Sequence, residues 1–165
     1  MARVFLSLGS NIDRERHIRA GLDALAKRFG GLDVSRVFES EAVGFDGDNF
    51  YNLVVGIHTE LPVGRLALGL REIEDANGRL RAGPKFSART LDIDILTYDA
   101  LTGTVDGVKL PRGEILKNAF VLLPLAELVP NAIHPLVGKS YRELWEEYDQ
   151  TSQKLWPVPF DWPGH

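Results

Sequence analysis

Hydrophobic residues follow two periods along the first part of the chain, and the order of these periods predicts the fold. The β-rich run 3–8 ends at the turn signal Gly9-Ser10-Asn11. Apolar residues then recur at helical spacing after a cap at Asn11 or Asp13, until Gly30-Gly31 ends the helix. The apolar face of this predicted helix consists of Ile18, Leu22, Leu25 and Ala26.

Three more strands and a second helix follow in the pattern. Residues 32–38 and 50–59 predict strands, and a loop separates them. Pro62 stands near the start of the second helix, which ends before a polar, basic loop over residues 77–88. Residues 90–97 (TLDIDILT) predict a fourth strand. The apolar face of the second helix is predicted to contain Leu66, Leu68, Leu70 and Ile73.

The remaining residues predict mostly helix. A short strand is expected at 108–110, one helix over 114–128, and a last helix that starts near Tyr141. The tail 156–165 (WPVPFDWPGH) is too rich in proline for a helix, so it is expected to be irregular. Residues 1–165 are predicted to form a single domain.

The order β-α-β-β-α-β predicts an α+β fold of the ferredoxin-like type. We expect a mostly antiparallel sheet with helices on its faces and a C-terminal helical extension. Handedness and hairpin rules place the first strand between the third and the fourth. The turn 9–11, the segment 50–52 and the pair Asp92/Asp94 then meet at one edge of the sheet, below the loops 39–49 and 77–89.

Composition narrows the possible environments and partners. The 165 residues include no cysteine, which excludes disulfides and thiolate metal sites and suits a reducing cytosol. The N-terminus begins directly with a strand-like run and shows no secretory leader, and the apolar stretch 119–128 is too short to span a bilayer. A net charge of −4 argues against nucleic-acid and membrane-surface partners. We expect a cytoplasmic monomer.

Asp92 and Asp94 are the first candidates for chemistry. They are two residues apart on a strand, so they share one face while the intervening isoleucine takes the other. Two carboxylates on one face repel each other unless a cation lies between them. Mg²⁺ accepts one or two carboxylates and completes its shell with phosphate oxygens. The alternative is a solvated strand face.

Basic residues crowd the segment before this pair. A transferring phosphoryl group needs positive charge around it, and the arginine fork suits phosphate oxygens. The alternative is a solvated helix end favoured by the helix dipole. Neither a P-loop nor a kinase glycine loop is present, and the four histidines show no metal spacing. The basic residues are Arg71, Arg79, Arg81, Lys85 and Arg89.

Asn52 opens the third strand between aromatic residues. Its amide offers one acceptor and two donors, which fits the polar edge of a heterocycle. Phe50 and Phe120 are candidates to sandwich a flat ring. The alternatives are a turn or ladder hydrogen bond for Asn52 and ordinary core positions for the two phenylalanines.

With these residues in place, the chain resembles the 6-hydroxymethyl-7,8-dihydropterin pyrophosphokinase family of folate synthesis. The resemblance covers about residues 3–145 and is most specific in the R-T-L-D-I-D core at 89–94. The family is ferredoxin-like, with mobile loops over its site. Its reaction transfers the pyrophosphoryl group of ATP to the pterin hydroxymethyl group and releases AMP. Further matches are L-S-L-G-S-N, F-Y-N-L-V-V, Leu110-Pro111 and A-F-V-L-L-P-L-A-E-L.

The resemblance implies a role for each matching position. Asp92 and Asp94 would bind two Mg²⁺ ions, which bridge ATP and the pterin hydroxyl. Arg81 and Arg89 would hold phosphates. Arg112 stands where the family has histidine, and we expect it to complete the catalytic set by replacing the lost charge. The other positions implied to contact ATP are Arg71, Glu74, Phe86, Ile95 and Lys109. The positions implied to bind the pterin are Ser40, Val43, Phe50, Asn52 and Phe120.

Four departures from the family pattern concern the nucleotide side. Phe86 replaces the usual tryptophan, and Ser87-Ala88 replaces Gly-Pro. Arg112 replaces the family's histidine, and Asn118 replaces an arginine. Because the metal and pterin positions match, the resemblance predicts the reaction class. Two alternatives stay open: a pterin-binding module with little or altered catalysis, and an RNA-recognition-type module, which shares the element order.

Overall fold

A computed structural model describes residues 1–41, 48–78 and 90–163. These residues form mixed helices and strands, as the alternation of hydrophobic periods predicts. The helices are α1 (Arg14–Phe29), α2 (Val63–Ala76), α3 (Glu114–Lys117), α4 (Ala119–Leu128) and α5 (Tyr141–Glu147). The strands are β1 (Ala2–Ser10), β2 (Asp33–Val34), β3 (Val37–Ser40), β4 (Phe50–Thr59), β5 (Asp92–Tyr98), β6 (Gly103–Val105), β7 (Val108–Leu110) and β8 (Leu155–Val158).

The main sheet has the strand order β5-β1-β4-β3-β8, and β2 also pairs with β4. All of these pairings are antiparallel. The predicted position of the first strand, between the strands 50–59 and 92–98, is therefore confirmed. The bounds predicted for the strand 50–59 are also confirmed. The first strand continues through Ser10, so the turn starts later than the Gly9-Ser10-Asn11 signal indicates.

Each face of the sheet packs against its own helices. Alternate residues of β1, β4 and β5 form one core with α1 and α2, in which Leu22 and Leu66 are fully buried. The opposite face forms a second core with α3, α4 and α5, around Leu122 and Leu125. Burial of both faces explains why the central strands read as nearly continuous apolar runs. Among the described helices, none combines the length and apolar character that a membrane crossing requires.

Two predicted elements are each divided in the structure. The strand 32–38 becomes β2 and β3, because Ser35 bonds to Val54 at the break. The Ser35 backbone N–H donates to the Val54 carbonyl at 3.0 Å, and the Ser35 hydroxyl accepts from the Val54 N–H at 2.9 Å. The helix predicted over 114–128 becomes α3 and α4, because Asn118 is extended with φ −117° and ψ 121°.

Three local predictions about the helices are also settled. Asp13 stands at the N-cap of α1 and Gly30 at its C-cap, although Asp13 makes no side-chain capping bond. Leu68 is 58% exposed, so its assignment to the apolar face of α2 is wrong. Leu66, Leu70 and Ile73 share one helical face, and position 68 lies outside their i, i+4, i+7 spacing.

The irregular tail predicted for 156–165 is wrong over its first residues. Leu155–Val158 form β8, an edge strand that pairs with β3 and places Pro157 opposite Phe38. An edge strand tolerates proline because one of its rows of N–H groups needs no partner strand. Further along, the Trp162 indole is buried and donates to Asp23 Oδ1 at 2.8 Å. The C-terminal residues thus pack onto the sheet and α1.

Candidate active site

A row of polar positions crosses three neighbouring strands of the sheet. Gly9 on β1 lies opposite Asn52 on β4 and opposite Asp92 on β5. Residues directly opposite in antiparallel strands point to the same face. Gly9 has no side chain to separate its neighbours, and a Cβ built there would lie 3.0 Å from Asn52 Oδ1. The predicted meeting of these three segments at one edge is confirmed.

The aspartate pair alternates with buried isoleucines along β5. Ile93 and Ile95 are each 5% exposed and belong to the core under α1 and α2. Asp92 and Asp94 are half-buried, on the face that carries the second core. Asp94 pairs in register with Ser7 of β1. The strand period of two therefore places both carboxylates on one face, as the sequence predicts.

Glu74 supports this strand from α2. Its side chain is buried, and its Oε2 accepts a hydrogen bond from the Ile93 backbone N–H at 2.8 Å. A buried carboxylate is costly unless it is hydrogen-bonded. This bond therefore fixes the part of β5 that lies between Asp92 and Asp94. The predicted nucleotide residue thus contacts the backbone that carries the aspartate pair.

Arg112 brings positive charge to the carboxylates. Its Nη2 lies 3.7 Å from Asp94 Oδ2 and 2.9 Å from Glu114 Oε1. Its backbone N–H donates to the Leu96 carbonyl at 2.8 Å, which ties the residue to β5. The Arg112 Nε is buried and has no hydrogen-bond partner. The guanidinium group is thus held beside Asp94 with one donor unused.

The donor set suits Mg²⁺ better than a cation that needs an all-protein cage. In the described parts of the chain, no group of three histidine, aspartate or glutamate side chains is placed to hold a metal. Mg²⁺ is usually bound by one or two carboxylates together with substrate phosphates. Asp92 and Asp94 supply such a pair on a partly exposed face, so these residues fit the ion.

At the other end of the row, Asn52 connects the positions that are predicted to bind the pterin. Asn52 is 7% exposed, and its Nδ2 donates to the hydroxyl of buried Ser40 at 2.7 Å. Phe50 lies near Gly9, with its Cδ1 3.8 Å from the Cβ position built there. Ser40 and Phe120 line a cavity of about 380 Å³ together with the C-terminal segment. The structure thus joins Ser40 to Asn52, places Phe50 and Asn52 beside Gly9, and brings Phe120 to the same cavity as Ser40.

The other predicted site residues differ in exposure and position. Arg71 is exposed on α2, and Lys109 is exposed on β7. Ile95 lies in the core, on the face opposite Asp94, so the structure gives its side chain little exposed area. The predictions for Val43, Arg81, Phe86 and Arg89 lie outside the described residues, together with Arg79, Lys85 and Ser87-Ala88.

Two features of the site were missed at the sequence level. Gly9 received no role, although a Cβ there would crowd Asn52 Oδ1 at 3.0 Å; the glycine at the end of a strand was the available signal. The C-terminal residues around Gln153 were also missed, although they line the cavity with Phe120. No local pattern indicates that contact, because it joins positions distant along the chain.

The chain is similar to known proteins over most of its length. The model of the 7,8-dihydro-6-hydroxymethylpterin-pyrophosphokinase (HPPK) family matches residues 5–130. The 2-amino-4-hydroxy-6-hydroxymethyldihydropteridine pyrophosphokinase of Aquifex aeolicus is 36% identical over 149 residues, which cover 89% of this chain and 92% of that protein. The enzyme of the same name from Methylorubrum extorquens is 35% identical, with 90% and 95% covered.

Longer relatives and solved structures are also similar to this chain. The folic acid synthesis protein FOL1 of Dictyostelium discoideum is 34% identical over 137 residues, which cover 80% of this chain and 20% of that protein. The crystal structure of Plasmodium falciparum HPPK-DHPS superposes with a TM-score of 0.69, covers 90% of this chain and 44% of that one, and shares 15% identity. This last likeness supports the fold alone. From the family model and the bacterial relatives, the chain belongs to the HPPK family of pyrophosphokinases.

Proposed function

We propose that this enzyme transfers the pyrophosphoryl group of ATP to the hydroxymethyl group of 6-hydroxymethyl-7,8-dihydropterin in folate biosynthesis, and that it releases AMP. The observation that carries the proposal is the row Asp92–Gly9–Asn52. Adjacent strands are about 4.8 Å apart, so Asp92 and Asn52 are separated by roughly 10 Å with no side chain between them. A flat bicyclic acceptor held at one end by Asn52 would place its other end near the aspartates.

The acceptor would be read by the amide of Asn52. Ser40 accepts one hydrogen bond from this amide and so orients it. Its Oδ1 then lies over Gly9, toward Asp92. Phe50 and Phe120 would stack on the acceptor ring, and Val43 would complete the pocket. An amide presents both a donor and an acceptor, which matches the lactam edge of a pterin.

The donor side would be organised by the aspartates and arginines. Asp92 and Asp94 would hold two Mg²⁺ ions, which supply positive charge to the triphosphate as the bonds rearrange. Arg81, Arg89 and Arg112 would hold the phosphates. The contact of Arg112 with Asp94 supports its part in this set. The remaining nucleotide contacts would come from Arg71, Glu74, Phe86, Ile95 and Lys109.

The proposed reaction has a defined balance of bonds. The hydroxymethyl oxygen forms a bond to the β-phosphorus of ATP, while the bond from that phosphorus to the oxygen it shares with the α-phosphate breaks. AMP leaves with that oxygen, and the hydroxyl proton is released. The protein's contribution is to position both substrates and to surround the transferring group with charge. The ion pair of Asp94 and Arg112 supports this proposal, because it holds charges of both signs next to each other.

The architecture we propose for this activity is a ferredoxin-like single domain that acts as a monomer in the cytosol. The antiparallel order β5-β1-β4-β3, with α1 and α2 on one face, supports the ferredoxin-like core. The absence of cysteine supports a reducing compartment.

Product analysis tests the proposal directly. The protein is incubated with ATP, Mg²⁺ and the dihydropterin, and the nucleotide product is identified by chromatography. We expect AMP together with a diphosphorylated pterin. ADP with a monophosphorylated pterin would reject the pyrophosphokinase assignment for this chain. Asp92→Ala is the matched control, because it removes one proposed metal ligand without touching the pterin side.

A second candidate is a pterin-binding module with little catalysis. Asn118, which replaces the family's arginine, favours it, because Asn118 Oδ1 accepts a hydrogen bond from Gln153 at 3.0 Å and so takes part in a structural contact. The pair Asp92/Asp94 favours the enzyme. Calorimetric binding of the pterin without any product from ATP would support the module. The RNA-recognition alternative is set aside because the chain belongs to the HPPK family.

A further inference from the structure

The C-terminal segment, defined here as residues 148–158, bonds to the junction between α3 and α4. The Tyr148 hydroxyl donates to the Lys117 carbonyl at 2.7 Å. The amide of the Gln153 side chain bonds through both its oxygen and its nitrogen to the two residues that follow Lys117. Its Oε1 accepts from the Ala119 backbone N–H at 2.8 Å, and its Nε2 donates to Asn118 Oδ1 at 3.0 Å.

Gln153 thereby satisfies a backbone group that α4 cannot satisfy alone. The first N–H groups of a helix have no partner within the helix, and a side chain at the N-cap usually accepts from one of them. Asn118 occupies that N-cap but makes no side-chain capping bond. A glutamine from 34 residues further along the chain instead accepts from the first of these N–H groups, that of Ala119. The next residue of α4 after Ala119 is Phe120, so the bond fixes the start of the turn that carries the proposed pterin-stacking ring.

The other end of the segment reaches the opposite wall of the pocket. β8 pairs with β3, and Leu155 lies opposite Ser40. Ser40 in turn accepts the hydrogen bond that orients Asn52. The cavity of about 380 Å³ is lined by Ser40 and Phe120 and by residues 151–155, so the segment bridges the two walls.

We propose that the C-terminal segment is the wall that holds the pterin pocket in shape, and that Gln153 is its positioning residue. Gln153 acts through Ala119 and Asn118 on Phe120, while β8 acts through Ser40 on Asn52. This inference rests on the proposed function, because it names the structure that shapes the acceptor site. It also assigns Asn118 a task other than that of the family's arginine: it is the partner of Gln153.

The test compares two glutamines in the same segment. Gln153→Ala removes both bonds to the start of α4. The matched control is Gln150→Ala, because Gln150 donates to the Trp145 carbonyl at the end of α5 and has no bond to α4. We expect Gln153→Ala to raise KM for the dihydropterin about tenfold, because the lost bond lowers the population of the binding-competent pocket, and to change KM for ATP by less than about twofold. Gln150→Ala should match the wild type in both constants.

A conservative variant and an amide probe complete the experiment. Gln153→Glu keeps an acceptor for the Ala119 N–H, and its second oxygen can accept from the Asn118 amide group after that group turns, so it should restore most of the affinity for the pterin. Hydrogen exchange at the Ala119 amide should be faster in Gln153→Ala than in the wild type, and slower again in Gln153→Glu.

The outcomes separate the inference from the proposed function. A wild-type protein that forms ADP, or that neither binds nor modifies the pterin, rejects the proposed function and the inference built on it. A wild type that releases AMP, with equal KM values for the pterin in Gln153→Ala and Gln150→Ala, rejects the role of Gln153 alone. Equal increases in KM for the pterin and ATP also reject it, because they indicate a general loss of structure.

Discussion

The two faces of the sheet are formed by the same strands but differ in the side chains that they carry. One face packs against α1 and α2 and continues into a core that includes Ile93 and Ile95. The other packs against α3, α4 and α5, and beyond that core it carries the row Asp92–Gly9–Asn52. Alternation along each strand makes this possible, since neighbouring residues point to opposite faces.

The comparison separates the residues expected to set stability from those proposed for chemistry. Apolar residues on the face under α1 and α2 stabilise the fold by burial, at roughly 25 cal/mol per Å² of apolar surface removed from water. The polar row contributes less of this burial, because its aspartate is half-buried and its glycine has no side chain. Substitutions on the two faces should therefore affect different measurements.

The largest expected effect is a loss of turnover on substitution of the two aspartates of β5. Asp92→Ala or Asp94→Ala should nearly abolish turnover, a loss on the order of several kcal/mol in transition-state stabilisation, because each removes a proposed metal ligand. The fold should remain, since removing one carboxylate also relieves like-charge repulsion. Steady-state turnover and denaturant unfolding measure the two quantities.

Ile93→Ala is the matched control on the other face of the same strand. It should lower the free energy of unfolding by about 2–5 kcal/mol, because it creates a cavity in the core. Near-normal turnover in either aspartate variant, with unchanged magnesium dependence, would return the pair to a solvated strand face.

The next effect concerns the positive charge beside Asp94. Arg112→Ala should reduce turnover about 10²-fold, because it removes a charged donor from the proposed phosphate site. Arg112→Lys should recover only part of the rate, since a lysine keeps the charge but loses the planar fork. Asn118→Arg should not raise turnover, because Asn118 is bonded to Gln153 and its replacement disturbs the start of α4.

Turnover at saturating ATP distinguishes these accounts of Arg112 and Asn118. A rise in turnover in Asn118→Arg would show that Asn118 is only a weakened version of the family's arginine. No change in turnover or ATP affinity for either Arg112→Ala or Asn118→Arg would make the segment 112–118 structural, and would favour the binding module.

A smaller effect is expected at Asn52, the end of the polar row where the pterin is proposed to bind. Asn52→Ala should weaken pterin binding by about 1–3 kcal/mol, because a buried polar edge of the ligand loses its partner. ATP binding should change much less, since Asn52 is separated from Asp92 by the β1 strand. Calorimetry with the pterin and with a non-hydrolysable ATP analogue gives both affinities. Equal losses for the two ligands would contradict a dedicated pterin contact.

The smallest expected effect is a pH dependence of stability from the loop between α4 and α5. Burial lowers the pKa of His134 from its ordinary value of 6.5, and its Nδ1 accepts from the Leu136 and Val137 N–H groups at 3.2 Å. Between pH 6.5 and the lowered pKa of the folded state, the unfolded chain therefore binds a proton that the folded chain does not. This contribution to stability is complete above the unfolded pKa and is lost as the pH falls through the folded pKa.

Unfolding experiments at about pH 7.5 and about pH 5.5 measure this difference, because the ordinary histidine pKa lies between them. His134→Asn is the comparison, since its side-chain oxygen keeps an acceptor but does not titrate. The wild type should lose more stability than the variant on acidification. Equal losses would show that His134 does not contribute to the pH dependence.

Local pattern predicted much of the fold and the common face of the two aspartates of the candidate site. The bounds of β4, the place of β1 between β4 and β5, and the common face of Asp92 and Asp94 follow from periodicity and from chain-connection rules. The break at Asn118 was missed because apolar spacing continues across it, and backbone φ and ψ there depend on tertiary contacts. The strand Leu155–Val158 was missed because proline disfavours most strands and only an edge position admits it.

Local sequence was enough to predict which residues alternate, where α1 and α2 end and which carboxylates share a face, because these properties depend on neighbours within a few positions. The resemblance in the R-T-L-D-I-D core then indicated the reaction class. Tertiary structure alone decided that Arg112 lies beside Asp94, that Glu74 holds the Ile93 N–H, and that Gln153 caps α4. These contacts join residues that are 18, 19 and 34 positions apart, so they exist only once packing has brought their elements together.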